Sequence, residues 1–251
     1  MSAPLVTPLA LVTGGSRGLG FETAKALAAK GFDLVLIAKN PEGLESAKAA
    51  LTQLSAEQSA GRKIEISTFA IDLENPEVVR AGIGAITSTT RTPQVMVLAH
   101  GVMSAKMSKT LKTDDAEWLR VMAINLDSVF QLVNGIAPAM VEARDGRIVI
   151  YSACLGRMSG PGNAGGLAPY RISKAGVNAL VRNLAHETGL GARGILVDAI
   201  CPNHSQTDMG GPDAPRTAAE GAATAIWLAT REFNPGNTTG VLWEDKQIVP
   251  W

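Results

Sequence analysis

Tyr170 and Lys174 stand four residues apart in Tyr170-Arg171-Ile172-Ser173-Lys174. On a helix, positions four apart share one face, so the phenol and the ammonium can enter the same cleft. A nearby ammonium favours the tyrosinate and draws the phenol pKa down towards a working pH. That suits a proton donor to a carbonyl oxygen whose carbon receives hydride. A hydride source is suggested at the other end of the chain, where Leu9-Ala10-Leu11-Val12 runs into Thr13-Gly14-Gly15-Ser16-Arg17-Gly18-Leu19-Gly20 and then the helical pattern Phe21 to Leu27. A strand, a glycine turn and a helix make a phosphate cradle. The glycines let the backbone approach a pyrophosphate, and the helix start attracts the anion.

The second strand, Asp33 to Ala38, ends at Lys39 and Asn40. An acidic side chain at this place in a nicotinamide-binding fold bonds the adenosine ribose, whereas basic groups accept a phosphate. Lys39, with Arg17 reaching the same region, therefore favours NADPH over NADH. Asp72-Leu73 follows a strand from Lys63 to Ala70; the Asp72 carboxylate could accept a bond from the adenine amino group or cap the helix near Asn75-Pro76. His100-Gly101 leaves the fourth strand, Val95 to Ala99; His100 is expected to be satisfied by nearby backbone, with a place along the cofactor channel as the alternative. Asn125 falls inside a helical stretch from Asp114 to about Met140, where asparagine is either tolerated or bends the helix and binds something.

These residues need a frame, and the chain supplies alternating strands and helices. A helix from Asn40-Pro41 to about Ser59, a fifth strand Gly146 to Ser152, a sixth Ile195 to Ile200 and a last strand Val241 to Trp243 complete the pattern. The fold expected is α/β: one doubly wound parallel sheet with helices on both faces, in a single domain over 1–251, with ligands at the carboxyl ends of the strands. The segments 153–169 and 203–215 are long for connections and are expected to contact substrate. Thr207 in the second could reach cofactor phosphate or carboxamide. Met103, Met107, Met158 and Met209 fall in loops that could form an adaptable apolar pocket.

Composition narrows the partners. The 251 residues are 46% hydrophobic and only 18% charged, with 26 glycines, which fits a buried sheet joined by short turns. Lys plus Arg and Asp plus Glu both number 23, so no net field recruits nucleic acid or an anionic membrane. The ligand expected is small. Cys154 and Cys201 suggest neither a disulfide framework nor a metal site, and no apolar run is long enough to span a bilayer. A cytoplasmic protein is expected.

Over essentially its full length the chain resembles the short-chain dehydrogenase/reductase superfamily, a Rossmann-type fold, and in its tail from Cys201-Pro202 through Thr207 to Pro212 and Trp251 the carbonyl-reductase-like members. Gly14, Gly18 and Gly20 match its TGxxxGxG turn, Asp72 its adenine-side aspartate, Asn125 its helix asparagine, and Tyr170 and Lys174 its YxxxK pair. Arg17 and Lys39 match the basic pair of NADPH-preferring members. The resemblance implies that Tyr170 is the general acid/base, that Lys174 bonds the nicotinamide ribose and lowers the tyrosine pKa, and that Asn125 holds a water in a proton relay. A homo-oligomer is likewise implied. Contact with NADPH/NADP+ is expected of Gly14, Ser16, Arg17, Gly18, Leu19, Gly20, Lys39, Asn40, Asp72, Leu73, Gly101, Tyr170, Lys174, Asn203 and Thr207.

Three departures mark this chain. Leu98-Ala99-His100-Gly101 stands where the family has Asn-Asn-Ala-Gly, which removes side chains that brace the sheet edge. Pro202-Asn203-His204 stands where it has Pro-Gly. The family's catalytic serine falls on Ala153, preceded by Ser152. Adjacent strand residues face opposite sides, so Ser152 takes that role only if the strand ends or bulges there. Ser152 is the expected carbonyl-binding hydroxyl, with Ser159 a weaker candidate. The activity expected is NADPH-dependent reduction of a ketone or aldehyde, or the reverse. The rival is a cofactor-binding protein of this fold with a lyase, cyclase or regulatory role.

Overall fold

Strand alternation decides which helix covers which face. In the computed structural model, which describes residues 7–58, 63–105, 109–160, 164–234 and 236–251, β1 (Leu9–Thr13) sends Leu9 and Leu11 to one side and Ala10 and Val12 to the other. The same split runs through β2 (Asp33–Ala38), β4 (Val95–Leu98) and β5 (Gly146–Tyr151). Both faces are apolar because both are covered, so these strands read as continuous hydrophobic runs.

One face packs against α1 (Gly18–Ala29), α2 (Pro41–Gln58) and α7 (Ala218–Thr230) through Leu27, Leu44, Leu51 and Leu228. The other packs against α3 (Pro76–Thr89), α5 (Ser128–Ala143) and α6 (Ala168–Glu187) through Ile86, Leu132, Met140 and Val181. A fully buried leucine contributes about 2 kcal/mol from its apolar area.

With β3 (Ile66–Ala70), β6 (Ile195–Cys201), β7 (Leu242–Glu244) and β8 (Gln247–Val249), the strands lie in the order β3-β2-β1-β4-β5-β6-β7-β8. All neighbours are parallel except β7 and β8. Chain direction across the sheet reverses between β1 and β4. At such a switch point the outgoing loops diverge and leave a crevice at the strands' carboxyl ends.

Three elements differ from the sequence reading. The sheet gains β8 beyond the expected last strand, because Asp245 and Lys246 both take positive φ (51° and 61°) and close a tight hairpin without glycine. The single helix expected from Asp114 to Met140 is α4 (Asp115–Met122), a π-helical turn over Ala123–Asp127, and α5. Asp72 is not the cap of α3: Asn75 Oδ1 takes that place, accepting from the N–H groups of Glu77 and Val78 at 3.0 and 3.3 Å. Ser59 and Met107 lie outside the described residues.

Candidate active site

Helix α6 starts at the mouth of the crevice, with Leu167 in the left-handed region (φ 53°) and Pro169 in its first turn. Tyr170 N–H donates to Ser104 Oγ at 3.0 Å, pinning this turn to the loop after β4. One turn on, Lys174 is buried and its Nζ donates to Tyr151 O at 2.7 Å, 6.0 Å from the centre of the Tyr170 ring. Burial pulls the lysine down to about 8.

The expected lowering of the tyrosine pKa is not what the site produces. Burial pushes the Tyr170 phenol up, and Cys201 and Cys154 beside it push the same way. Burial dominates, and the Lys174 ammonium is directed at a backbone carbonyl instead. For reduction this direction is serviceable: the phenol stays protonated until a carbonyl oxygen demands its proton.

Asn125 is fully buried in the π-helical turn. The extra residue of that turn aims the amide at the loop after β4, where Oδ1 accepts from Val102 N–H at 2.8 Å and Nδ2 donates to Val102 O at 2.9 Å. Nδ2 also reaches Ser173 Oγ at 3.1 Å, and that hydroxyl donates to Tyr170 O at 2.7 Å. The asparagine therefore sits in a widened turn and bonds the loop after β4 and the start of α6. A Cβ placed on Gly101 would stand 3.3 Å from Asn125 Oδ1 and 3.4 Å from Lys174 Nζ, so Gly101 leaves the space between them clear.

The strand β5 ends at Tyr151, immediately before Ser152, yet the serine hydroxyl is engaged away from the crevice. The Ser152 N–H donates to Ile200 O at 2.8 Å just past the end of the ladder, and its buried hydroxyl donates to Asn178 Oδ1 and, at 3.3 Å, to Lys174 O. Ser152 thus ties the end of β5 to α6, its hydroxyl engaged there rather than turned to the crevice where a carbonyl would bind. Ser159 donates instead to Trp251 O at 3.3 Å. Ser152→Ala should leave kcat within about threefold, whereas losing a true oxyanion donor slows turnover about 10²- to 10³-fold; steady-state kinetics on the variant decide between these.

The glycine turn has the tightness a phosphate cradle needs. A Cβ on Gly20 would lie 2.3 Å from Gly14 O, and Gly14 itself takes φ 65°. Leu19 packs on Gly221, and Thr207 Cγ2 rests over Gly18, so α7 and the 203–215 loop close on the turn. Thr207 Oγ1 accepts from Gly210 N–H at 3.1 Å. Ser16 lies against Gly43, while Asn40 Oδ1 caps α2 by accepting from Glu42 and Gly43 N–H at 2.8 and 3.2 Å. Leu73 is buried beneath the same edge.

Both basic residues hold exposed ion pairs at 2.7 Å, Arg17 with Asp208 and Lys39 with Asp72. Lys39 keeps Asp72 below the usual carboxylate range. Exposed pairs of this kind contribute about 0–1 kcal/mol, so either cation can exchange its carboxylate for a phosphate at little cost.

Two departures from the family pattern are compensated. His100 is held by two hydroxyls as well as by the expected backbone, at Ile124: Nδ1 lies 2.6 Å from Thr13 Oγ1 and Nε2 2.9 Å from Ser128 Oγ. Ser128 spends its proton on Ile124 O at 2.8 Å, so Nε2 carries the hydrogen and Thr13 donates to Nδ1. Burial, then the charge of Lys174, lowers His100 to about 3 and keeps it neutral. The imidazole therefore braces β1 and β4 against α5, the support that the loss of the family's asparagines was expected to remove. Asn203 adopts φ 57°, the left-handed conformation that glycine favours and asparagine tolerates best among other residues. In the amide orientation that its hydrogen bonds require, its oxygen accepts from the Arg216 guanidinium at 3.3 Å.

Sequence reasoning passed over Ser104, Ser173 and the carbonyl of Tyr151. Ser173 carries a readable signal, standing inside the Tyr170–Lys174 span. Tyr151 acts through its backbone carbonyl, and Ser104 through a hydroxyl that meets a distant backbone N–H, so neither carries one.

Comparison with known proteins agrees with this geometry. A family model described as short chain dehydrogenase matches residues 8–217. A 3-oxoacyl-[acyl-carrier-protein] reductase FabG of Pseudomonas aeruginosa is 32% identical over 215 residues, covering 85% of this chain and 81% of that protein. The FabG of Escherichia coli is 31% identical over 201 residues, 80% of this chain and 75% of the relative. Among solved structures, an actinorhodin polyketide ketoreductase variant with NADPH superposes with a TM-score of 0.76 at 25% identity, covering 94% of each chain. A metagenomic short-chain oxidoreductase in complex with NADP gives 0.74 at 26%, covering 92% of this chain and 94% of that one. With the family pattern running from β1 to the cap of α7 and its Tyr170–Lys174 pair set beside the glycine cradle, the chain belongs to the short chain dehydrogenase family.

Proposed function

We propose that this chain reduces a ketone or aldehyde carbonyl to an alcohol, or runs the reverse oxidation, with NADPH/NADP+. The observation that carries the reading is the clear space at Gly101 between Asn125 and Lys174, with buried Tyr170 one turn from that lysine. The cradle that a Cβ on Gly20 would fill fits a pyrophosphate, and the exchangeable pairs of Arg17 and Lys39 fit an added phosphate.

When bound, the nicotinamide supplies hydride to the carbonyl carbon. Tyr170 donates the proton to the carbonyl oxygen. Lys174, freed from Tyr151 O or shared with it, bonds the ribose and steadies the tyrosinate left behind. Asn125 holds the loop at Val102 and the first turn of α6 in register, and serves the proton relay. The loops 153–169, of which 161–163 lie outside the described residues, and 203–215 are read as the substrate's surroundings; Met158 and Met209 are exposed there and Met103 is partly buried. The relatives named as 3-oxoacyl reductases and the ketoreductase neighbour favour net reduction over a lyase, cyclase or regulatory role.

We read the chain as one domain, acting as a homo-oligomer in the cytoplasm. Among the described residues no helix is long and apolar enough to cross a membrane. The experiment follows NADPH absorbance against a panel of ketones, aldehydes, diketones and 3-oxoacyl thioesters, with NADH in parallel. Consumption with NADPH is expected; tight NADPH binding without consumption across the panel would overturn the reading. Lys39→Asp with Arg17→Ser should lower the NADPH-to-NADH ratio of kcat/KM about 10- to 100-fold, the scale of one or two lost charge-assisted bonds.

A further inference from the structure

The only two cysteines of the chain, 47 positions apart, meet beside Tyr170. Cys154 opens the short 3-10 turn Cys154–Gly156 at the start of the 153–169 loop, and Cys201 ends β6 just before the 203–215 loop. The Cys154 N–H donates to Cys201 Sγ at 2.9 Å, and the two thiols are hydrogen-bonded to each other. Cys154 is half-buried and reachable, whereas Cys201 is buried behind it. The reaction assigned to Tyr170, Lys174 and Asn125 uses neither sulfur.

We propose that Cys154 and Cys201 are a reversible modification site for peroxides, Cys154 as the reacting thiol and Cys201 as the resolving one. Their arrangement meets what such a site requires: an accessible sulfur with a second sulfur already in contact, and no third thiol to compete. The bond from Cys201 lowers the Cys154 thiol to about 7, Arg157 adds to this while burial and Glu244 oppose it, and Cys201 is pushed up by the same contact. The thiolate, which is the nucleophile, therefore resides on Cys154 near neutral pH.

The chemistry balances without any group beyond the peroxide. The Cys154 thiolate attacks one peroxide oxygen, the O–O bond breaks, and the departing hydroxide takes up a proton as water, leaving a sulfenic acid. The Cys201 sulfur then attacks the Cys154 sulfur as it gives up its proton. The S–O bond breaks, and the hydroxyl leaves with that proton as a second water. Two thiols are oxidised to one disulfide and the peroxide is reduced to two waters. A dithiol reductant reverses it. The cross-link would pin the roots of both substrate loops together at the tyrosine.

The test reads covalent state rather than turnover, so its failure and a failure of the reductase reading are separable. Purified full-length chain is treated with hydrogen peroxide, quenched with an alkylating agent and mapped by peptide mass spectrometry. The expected result is a Cys154–Cys201 cross-link within one chain, lacking two hydrogens and restored to two alkylatable thiols by dithiothreitol. In Cys201→Ser, where the serine hydroxyl can still accept the Cys154 N–H, dimedone should trap a sulfenic acid on Cys154. In Cys154→Ser, Cys201 should stay reduced. Without peroxide, Cys154 should be alkylated at least about ten times faster than Cys201 at pH 7. Two free thiols in wild type at a peroxide dose that oxidises glutathione, or a cross-link formed only between chains, would overturn the proposal.

Discussion

Tyr170→Phe should lower kcat about 10²- to 10⁴-fold, the contribution of a positioned proton donor, while NADPH binds with unchanged affinity. The substitution removes one oxygen from a ring that is only 6% exposed and keeps its volume. The bond that pins the turn, Tyr170 N–H to Ser104 Oγ, is made by backbone and survives. With Ser152 facing Asn178 and Ala153 in the serine's usual place, the phenol is the hydroxyl left for the substrate oxygen among the residues assigned to catalysis. Its loss should therefore fall on kcat rather than KM. Stopped-flow NADPH binding and steady-state turnover measure the two halves; a variant within threefold of wild type in kcat would remove Tyr170 from the mechanism.

Lys174→Met should do two opposite things: cut kcat by at least about 10²-fold and stabilise the fold at neutral pH. The lysine is 3% exposed, and burial lowers its pKa from 10.5 to about 8. A folded pKa below the unfolded one means that the unfolded chain binds the proton more tightly, so the charged lysine penalises folding. Below about pH 8 both states are charged and the penalty is complete, amounting to about 3 kcal/mol for a drop of that size. It fades as pH rises from about 8 to 10.5 and is absent above. Methionine removes it, less about 1–2 kcal/mol for the lost bond to Tyr151 O. Urea unfolding at pH 7 and at pH 10 should show the variant ahead at the first and the gap shrinking at the second. A variant less stable at pH 7 would mean that the ammonium is better solvated by its surroundings than its burial implies. A site that holds a destabilising charge for the sake of its chemistry is the usual exchange of stability for activity.

What was legible in the sequence follows from how each feature is encoded. The doubly covered parallel sheet follows from buried runs such as Leu34 to Ile37, because a strand covered on both faces must be apolar at every position. The cradle was legible because only glycine satisfies the contact between Gly20 and Gly14 O. The Tyr170–Lys174 pair was legible because helical spacing alone places both on one face.

The misses share a cause: they depend on which of several partners a polar side chain chooses. Ser152 could face the substrate or α6, and only the partners its hydroxyl meets on α6, Asn178 Oδ1 and Lys174 O, decide for α6. Asp72 and Asn75 compete for one helix end, and Asn75, one residue before Pro76, has the better reach. The direction of the Tyr170 shift turned on burial, a tertiary quantity that no spacing reports. His100 and Asn203 read as losses against the family pattern yet fit their places, one bonded to two hydroxyls and the other accepting a positive φ. β8 was hidden by a turn, Asp245-Lys246, that lacks the glycine usually marking a tight hairpin.

The central claim is hydride transfer to a carbonyl carbon, and isotope transfer tests it most directly. NADPH carrying deuterium at the transferable C4 position is incubated with the chain and a ketone that it consumes from the panel, and the alcohol is analysed by mass spectrometry. The account predicts one deuterium on the former carbonyl carbon and none delivered by Tyr170, whose proton exchanges with water. An alcohol without deuterium, or NADPH that stays bound and unoxidised through turnover, would contradict it.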